Sequence, residues 1–223
     1  IAVIDAISDN AFDSVSNQTV SVATTDDDVA GFTIAESGGS TSVDESGTTD
    51  SFTIVLDTQP SSDVVLSISS ADTGEATVTS LLTFTSANWD TAQTVTVTGV
   101  DDDIIDGTQT TTVSVTVVDS ISDDNFDSVS DQAVSVATTD DDVAGFTIAE
   151  TGGSTSVAES GTTDTFTVIL DAQPSSDVVL SISSADAGEA TVTSSLTFTS
   201  ANWDTAQTVT VTGIDDDIID GTQ

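Results

Sequence analysis

Aspartates arrive in tight runs at fixed places along this chain: Asp26-Asp27-Asp28, Asp101-Asp102-Asp103 with Asp106, Asp140-Asp141-Asp142, and Asp215-Asp216-Asp217 with Asp220. Carboxylates are hard oxygen donors, and gathered together they repel one another unless a cation sits among them. The polypeptide cannot supply that cation. Its 223 residues hold 39 Asp plus Glu and no Lys, Arg or His, for a formal net charge of -39. Metal binding is therefore the chemistry these residues point to. Calcium suits them best, because it accepts about six to eight oxygen ligands in flexible geometry whereas magnesium demands a stricter octahedron.

The same composition excludes other functions. A nucleic-acid or anionic-membrane partner needs basic groups, and there are none. Without Cys there are no disulfides, thiolate zinc sites or thiol nucleophiles. A Ser or Thr nucleophile would lack the imidazole that normally activates it. Asp72-Thr73-Gly74 matches the short aspartic-protease tripeptide, but the related stretch further on reads Asp186-Ala187-Gly188. The expectation is a protein that is not an enzyme. Neither an EF-hand loop nor a glycine-rich calcium nonapeptide occurs, and the single glycosylation sequon, Asn17-Gln18-Thr19, is lost in the related stretch that begins at Asp131. A merely solvated, salt-adapted acidic surface is the competing reading. Against it, the aspartates concentrate in loops and tripled runs.

The elements that position them read as strands. At 36% hydrophobic, rich in Val, Ile and Thr, the chain is too apolar for a disordered acidic tail. No apolar run approaches a membrane span and no signal-peptide pattern opens the chain, so a soluble fragment lacking whatever sequence addressed it is expected. Alternating segments separated by Gly, Asp, Ser and Pro predict strands at 51–57, 63–69, 81–85, 93–100, 110–118 and 132–138. In Thr94-Val95-Thr96-Val97-Thr98 the valines face a core and the threonines face outward. Such threonine rows occur on ice-binding faces but also on any solvated sheet. Trp89 reads more readily as a core plug than as a sugar platform.

Set against itself, the chain repeats at an offset of 114: residues 1–109 match 115–223 without gaps and with 17 differences. That period fits one sandwich domain and is too long for a solenoid turn. The tripled aspartates at 26–28 and 140–142 mark module ends. Residues 1–28 then represent the closing strands of a preceding module, 29–142 a complete one, and 143–223 a module without its last strands. The expected partners are neighbouring repeats of the same array, or filament copies that complete the open ends.

Greek-key order places Asp101, Asp102, Asp103 and Asp106 at the same pole as Asp140, Asp141 and Asp142. The loops holding Glu36, Asp44, Glu45 and Asp50, and Asp72 with Glu75, should reach that pole too. The opposite pole should carry Asp119, Asp123, Asp124, Asn125 and Asp127, with Asp57 and Asp63 nearby. Tandem stacking would bring Asp26, Asp27 and Asp28 to such a junction, where ions would fix the angle between modules.

The Asp-Asp-Asp-Val-Ala-Gly-Phe opening, Val43-Asp44-Glu45-Ser46-Gly47, Leu82-Thr83-Phe84, Gln93-Thr94-Val95-Thr96-Val97 leading into Asp101-Asp102-Asp103, and the closing Asp140-Asp141-Asp142 together resemble a Calx-beta module. The resemblance spans the whole repeat. It implies a seven-stranded, immunoglobulin-like antiparallel β-sandwich, all-β and repeated in tandem, that binds calcium at one pole. Carried over by position, the ligands are Glu45, Asp101, Asp102, Asp103, Asp140, Asp141 and Asp142, with Glu159, Asp215, Asp216 and Asp217 in the second copy. Asp106-Gly107-Thr108-Gln109 stands where the family often has a further Glu. Bacterial proteins of this kind are long adhesins or surface filaments, so the functional expectation is a calcium-stiffened structural module at the cell surface. The alternative is a calcium-dependent module that grips a glycan or protein.

Overall fold

The computed structural model describes residues 1–217 and 221. Among these residues the regular structure is strand and short 3-10 turns, and no helix is long and apolar enough to cross a membrane.

The first sandwich follows from period-2 patterning. Strand β1 (Phe32–Glu36) pairs with β3 (Thr49–Leu56), which pairs with β7 (Gln93–Gly99) and through it with β5 (Ala76–Val78). The facing sheet runs in the order β2 (Thr41–Asp44), β9 (Gln132–Thr139), β8 (Gln109–Val117), β4 (Val64–Ser70) and β6 (Leu81–Phe84). Alternate residues turn inward to one core: Phe52, Ile54, Leu66, Phe84, Val95, Val97, Val113, Val115 and Val136 are fully buried. At roughly 1.5–3 kcal/mol for each large side chain, this core is what holds the sheets together. Ser and Thr occupy the alternate, outward positions, such as Thr94 and Thr96 on β7 and Thr110 and Thr112 on β8. Carboxylates are thereby confined to the ends of the sandwich and its turns.

All six strands foreseen from patterning are present, as β3, β4, β6, β7, β8 and β9, within a residue or two at each end. The sandwich has nine strands rather than seven. The first strand is split: Gly38 and Gly39, both at positive φ, break it into β1 and β2, so that its second half crosses to the other sheet. There β2 pairs parallel with β9, in register Thr41↔Val136 to Asp44↔Thr139, the one parallel ladder between named strands among the described residues. The short edge strand β5 lacks enough alternation to be read from sequence.

The second unit repeats the first sheet, with β10 (Phe146–Glu150), β11 (Thr163–Leu170), β15 (Gln207–Gly213) and β13 (Ala190–Val192) in the order β10-β11-β15-β13. Opposite it, among the described residues, stands the pair β12 (Val178–Ser181) and β14 (Ser195–Phe198). Residues 155–158, the counterpart of β2, form no strand. No described residue of this unit takes the place of β8 or β9 over its inner face, and Phe146 and Ile148 are exposed, although Phe32 at the position equivalent to Phe146 is buried.

Residues 1–28 carry two 3-10 turns, Asp5–Ile7 and Asn10–Phe12, and no strand. Residues 18–25 nearly repeat the sequence of β9, yet Val20 and Val22 are exposed. A β-strand is stable only beside a partner, and beyond the two backbone bonds between Gln18 and Ile1 this segment forms no ladder. Between the two units, Ile104 bridges Gln173 in parallel, and the Gln173 backbone N–H donates to the Asp103 carbonyl at 2.6 Å.

Candidate metal centre

Three strand ends build one pole of the first sandwich. Strand β2 ends into Glu45, whose backbone N–H donates to the Thr139 carbonyl at 3.0 Å, so the parallel β2–β9 ladder itself fixes where Glu45 sits. Strand β9 ends into Asp140, Asp141 and Asp142, and β7 runs through Gly99 into Asp101, Asp102 and Asp103. Gly99 lies so close to the Asp44 carbonyl that a Cβ there would collide with it. That glycine lets β7 pass beside the turn carrying Glu45.

Carboxylate oxygens of Glu45, Asp140 and Asp142 lie within 4.8 Å of one another. Glu45 is 1% exposed, and its Oε2 has no hydrogen-bond partner; the same is true of buried oxygens of Glu75 and Asp142. Buried polar atoms are nearly always satisfied, and an unpaired carboxylate oxygen is among the costliest exceptions. Burial, followed by the charges of Asp102, Asp140, Asp106 and Glu75, pushes the Glu45 carboxyl up to about 7. Glu75 is raised by burial and then by Asp106, Asp102 and Asp72. Asp142 is raised by burial and then by Asp140, Asp103, Asp101 and Asp141. Each orphaned oxygen therefore sits inside a ring of like charge.

Asp140 has the opposite character. Its Oδ2 accepts from the backbone N–H groups of Gly107 at 2.7 Å and Asp106 at 3.0 Å, and its Oδ1 accepts from Asp142 N at 2.8 Å. These bonds hold its carboxyl below the usual range, with Gly107 the largest contributor. Asp140 thus ties the Asp101–Asp106 loop to the end of β9 while remaining ionised. The residues fit a divalent cation on three counts: hard oxygen donors converge, several are buried and unsatisfied, and no cationic side chain competes for them.

The candidates read from sequence separate into groups. Glu45, Asp101, Asp102, Asp103, Asp106, Asp140, Asp141 and Asp142 share this pole. Glu75, which sequence places at the pole without naming it a ligand, belongs to the same group; the available signal was a glutamate repeated as Glu189 in a loop otherwise of small residues. Asp44 braces its turn by accepting from Ser46 and Thr139, and its counterpart is Ala158. In the second unit Glu159, Glu189 and Gly221 line one open pocket, and Asp215, Asp216 and Asp217 follow β15 as Asp101 to Asp103 follow β7. Asp220 lies outside the described residues.

The opposite pole is built differently. Asp123 is 3% exposed, yet Oδ2 accepts from Ser61 N at 2.6 Å, Ser61 Oγ at 2.7 Å and Ser62 N at 2.9 Å, while Oδ1 accepts from Asn125 N and Nδ2. Its carboxyl is held far below the usual range, the Ser61 hydroxyl contributing most. Its oxygens are spent on the 3-10 turn Asp124–Phe126, which they pin to the β3–β4 loop. Asp127 is raised by burial and then by Asp119, Asp124 and Asp123. Asp26 and Asp28 line a shallow pocket with Gln59, Pro60 and Asp123, while Asp27 is exposed beside them. Among the described residues this pole has no orphaned buried carboxylate oxygen. Trp89 packs against the core, and its carbonyl accepts from Leu56 N at 3.1 Å.

No protein-family profile and no curated protein matches the chain. Among solved structures it is similar to the apo form of the Calx CBD1 domain, with 15% identity and a TM-score of 0.38 over 52% of this chain and 100% of that one. It is also similar to the calcium binding domain CBD12 of CALX1.1, with 14% identity and a TM-score of 0.36 over 82% of this chain and 76% of that one. The chaperone DraB of E. coli shows 8% identity and a TM-score of 0.36 over 53% and 59%. These values are too low for any of the three to say what this chain binds.

Proposed function

We propose that the chain is a structural repeat module of an extracellular adhesin or surface filament, in which calcium at the pole of each sandwich converts a self-repelling polypeptide into a stiff rod. One observation carries the reading: buried, unpartnered oxygens of Glu45, Glu75 and Asp142 lie at one pole of a chain without a single cationic side chain. Glu45 and Asp142 would bind the ion with Asp140, while Asp102, Asp106 and Glu75 add charge or further ligands. The ion would supply the positive charge that the polypeptide lacks and join the ends of β2, β7 and β9. Near-identical copies support a spacer, since 17 differences in 109 positions preserve core and pole alike.

Thermal melting of the 223-residue chain in calcium, magnesium and chelator tests this. Calcium at about 100 times its dissociation constant should stabilise the fold by about 2.7 kcal/mol, a rise of several degrees in Tm, and magnesium should fall well short. A melting curve indifferent to calcium would sink the reading.

A further inference from the structure

The inward-facing positions of β8 read Thr111, Val113, Val115, and those of β9 read Val134, Val136, Thr138. The two threonines stand at the metal end of the core, where Thr138 is 0% exposed and Thr111 5%. Valine has nearly the same branched shape, and a threonine in its place buries a hydroxyl at a cost that only a hydrogen bond offsets. We propose that Thr111 and Thr138 are positioning residues of the metal centre, which hold the loop between β4 and β5 across the end of the sandwich and so keep Glu75 at the pole it shares with Glu45. This rests on the proposed function, because it explains how one carboxylate of that centre is aimed.

Both hydroxyls act on that loop. The Thr138 hydroxyl donates to the Glu75 carbonyl at 3.4 Å, and the backbone N–H of Val100, just past β7, donates to the same carbonyl at 2.9 Å. The Thr111 hydroxyl oxygen accepts from the Asp72 backbone N–H at 3.0 Å. Strands β8 and β9 belong to one sheet and β7 to the other, so residues 72–75 are tied to both. Bonds inside the loop, from Gly74 N to Asp72 Oδ1 and from Ala76 N and Ser70 Oγ to the Asp72 carbonyl, shape the turn without anchoring it to either β8 or β9.

The end of β9 is the common reference. Thr138, Thr139 and Asp140 are consecutive: the hydroxyl of the first holds Glu75, the carbonyl of the second accepts the Glu45 N–H, and the third supplies its own carboxylate. Three carboxylates from three separate segments are thereby set in one frame. Restraint is needed there, because Glu75 has a buried oxygen without a partner and faces the charges of Asp106, Asp102 and Asp72. Without an ion that repulsion pushes the loop outward, and an ion meeting a displaced loop would first have to draw it back, at the expense of affinity.

Calorimetric calcium titration of the 223-residue chain and its variants, with melts of each in chelator, tests the proposal. Thr138→Val removes the donor and nearly keeps the shape, so the metal-free Tm should hold or rise while the calcium dissociation constant rises roughly 3- to 10-fold, the worth of one hydrogen bond. Thr138→Ser keeps the hydroxyl and should regain most of the affinity, although the lost core methyl lowers its metal-free Tm. Thr111→Val should weaken calcium binding to a similar degree. In a Glu75→Gln background, Thr138→Val should weaken binding no further, because the hydroxyl acts through Glu75. Unchanged affinity in Thr138→Val or Thr111→Val, equal losses in Thr138→Val and Thr138→Ser, or full additivity with Glu75→Gln would overturn the positioning role and leave the metal centre standing. A parent chain that binds no calcium would overturn the proposed function and this role together.

Discussion

Without a cation, folding keeps a proton on Glu45 up to about pH 7, whereas the unfolded chain releases it near 4.5. The folded state binds more protons in that window, so stability in chelator should fall as pH rises from about 4.5 to about 7. Glu45→Gln should flatten that slope, stabilise the metal-free fold at pH 8 by on the order of 1–3 kcal/mol, and diminish the calcium response. Denaturant melts across pH, with and without calcium, would show all three. Asp123 has the opposite sign: its carboxyl is depressed, so its contribution is present above the ordinary aspartate range and is lost only in strong acid. Asp123→Ala should cost about 3 kcal/mol or more, because five hydrogen bonds lose their shared acceptor. That loss should appear equally in calcium and in chelator.

The meeting of β2, β7 and β9 decides whether the pole forms. Gly99→Ala would drive a methyl group into the Asp44 carbonyl and displace the turn that carries Glu45. It should lower stability by about 1–3 kcal/mol and weaken the calcium-induced rise in Tm. At this scale the sequence is legible where alternation is long: Thr94 to Thr98 declares β7, and Val113, Val115 and Val117 declare β8. It is silent about β5, three residues at an edge, and about the crossing at Gly38-Gly39, which is written in tertiary pairing rather than local pattern. Runs of Asp and the Greek-key order were enough to gather the pole. They could not distinguish Asp123 from Asp140, because its five donors come from Ser61, Ser62 and Asn125, and the two serines lie some sixty residues away in sequence.

Across the whole molecule, charge and adhesion are separated: carboxylates occupy ends and turns, hydroxyls the flanks, and hydrocarbon the centre. The chain enters the first sandwich at β1 and leaves it at β9, and the continuation of β1 lies parallel to β9. Tension applied before Phe32 and after Asp142 would therefore try to slide β2 past β9, loading their ladder lengthwise so that its bonds must yield together instead of one at a time. Single-molecule stretching should find a high rupture force at this ladder, and Ala137→Pro should lower it by removing a donor to β2, since the backbone of residue 137 faces the same side as that of Thr139. An ion bridging Glu45 to Asp140 and Asp142 would act as a rivet through the two strands under load, so the rupture force should climb further in calcium.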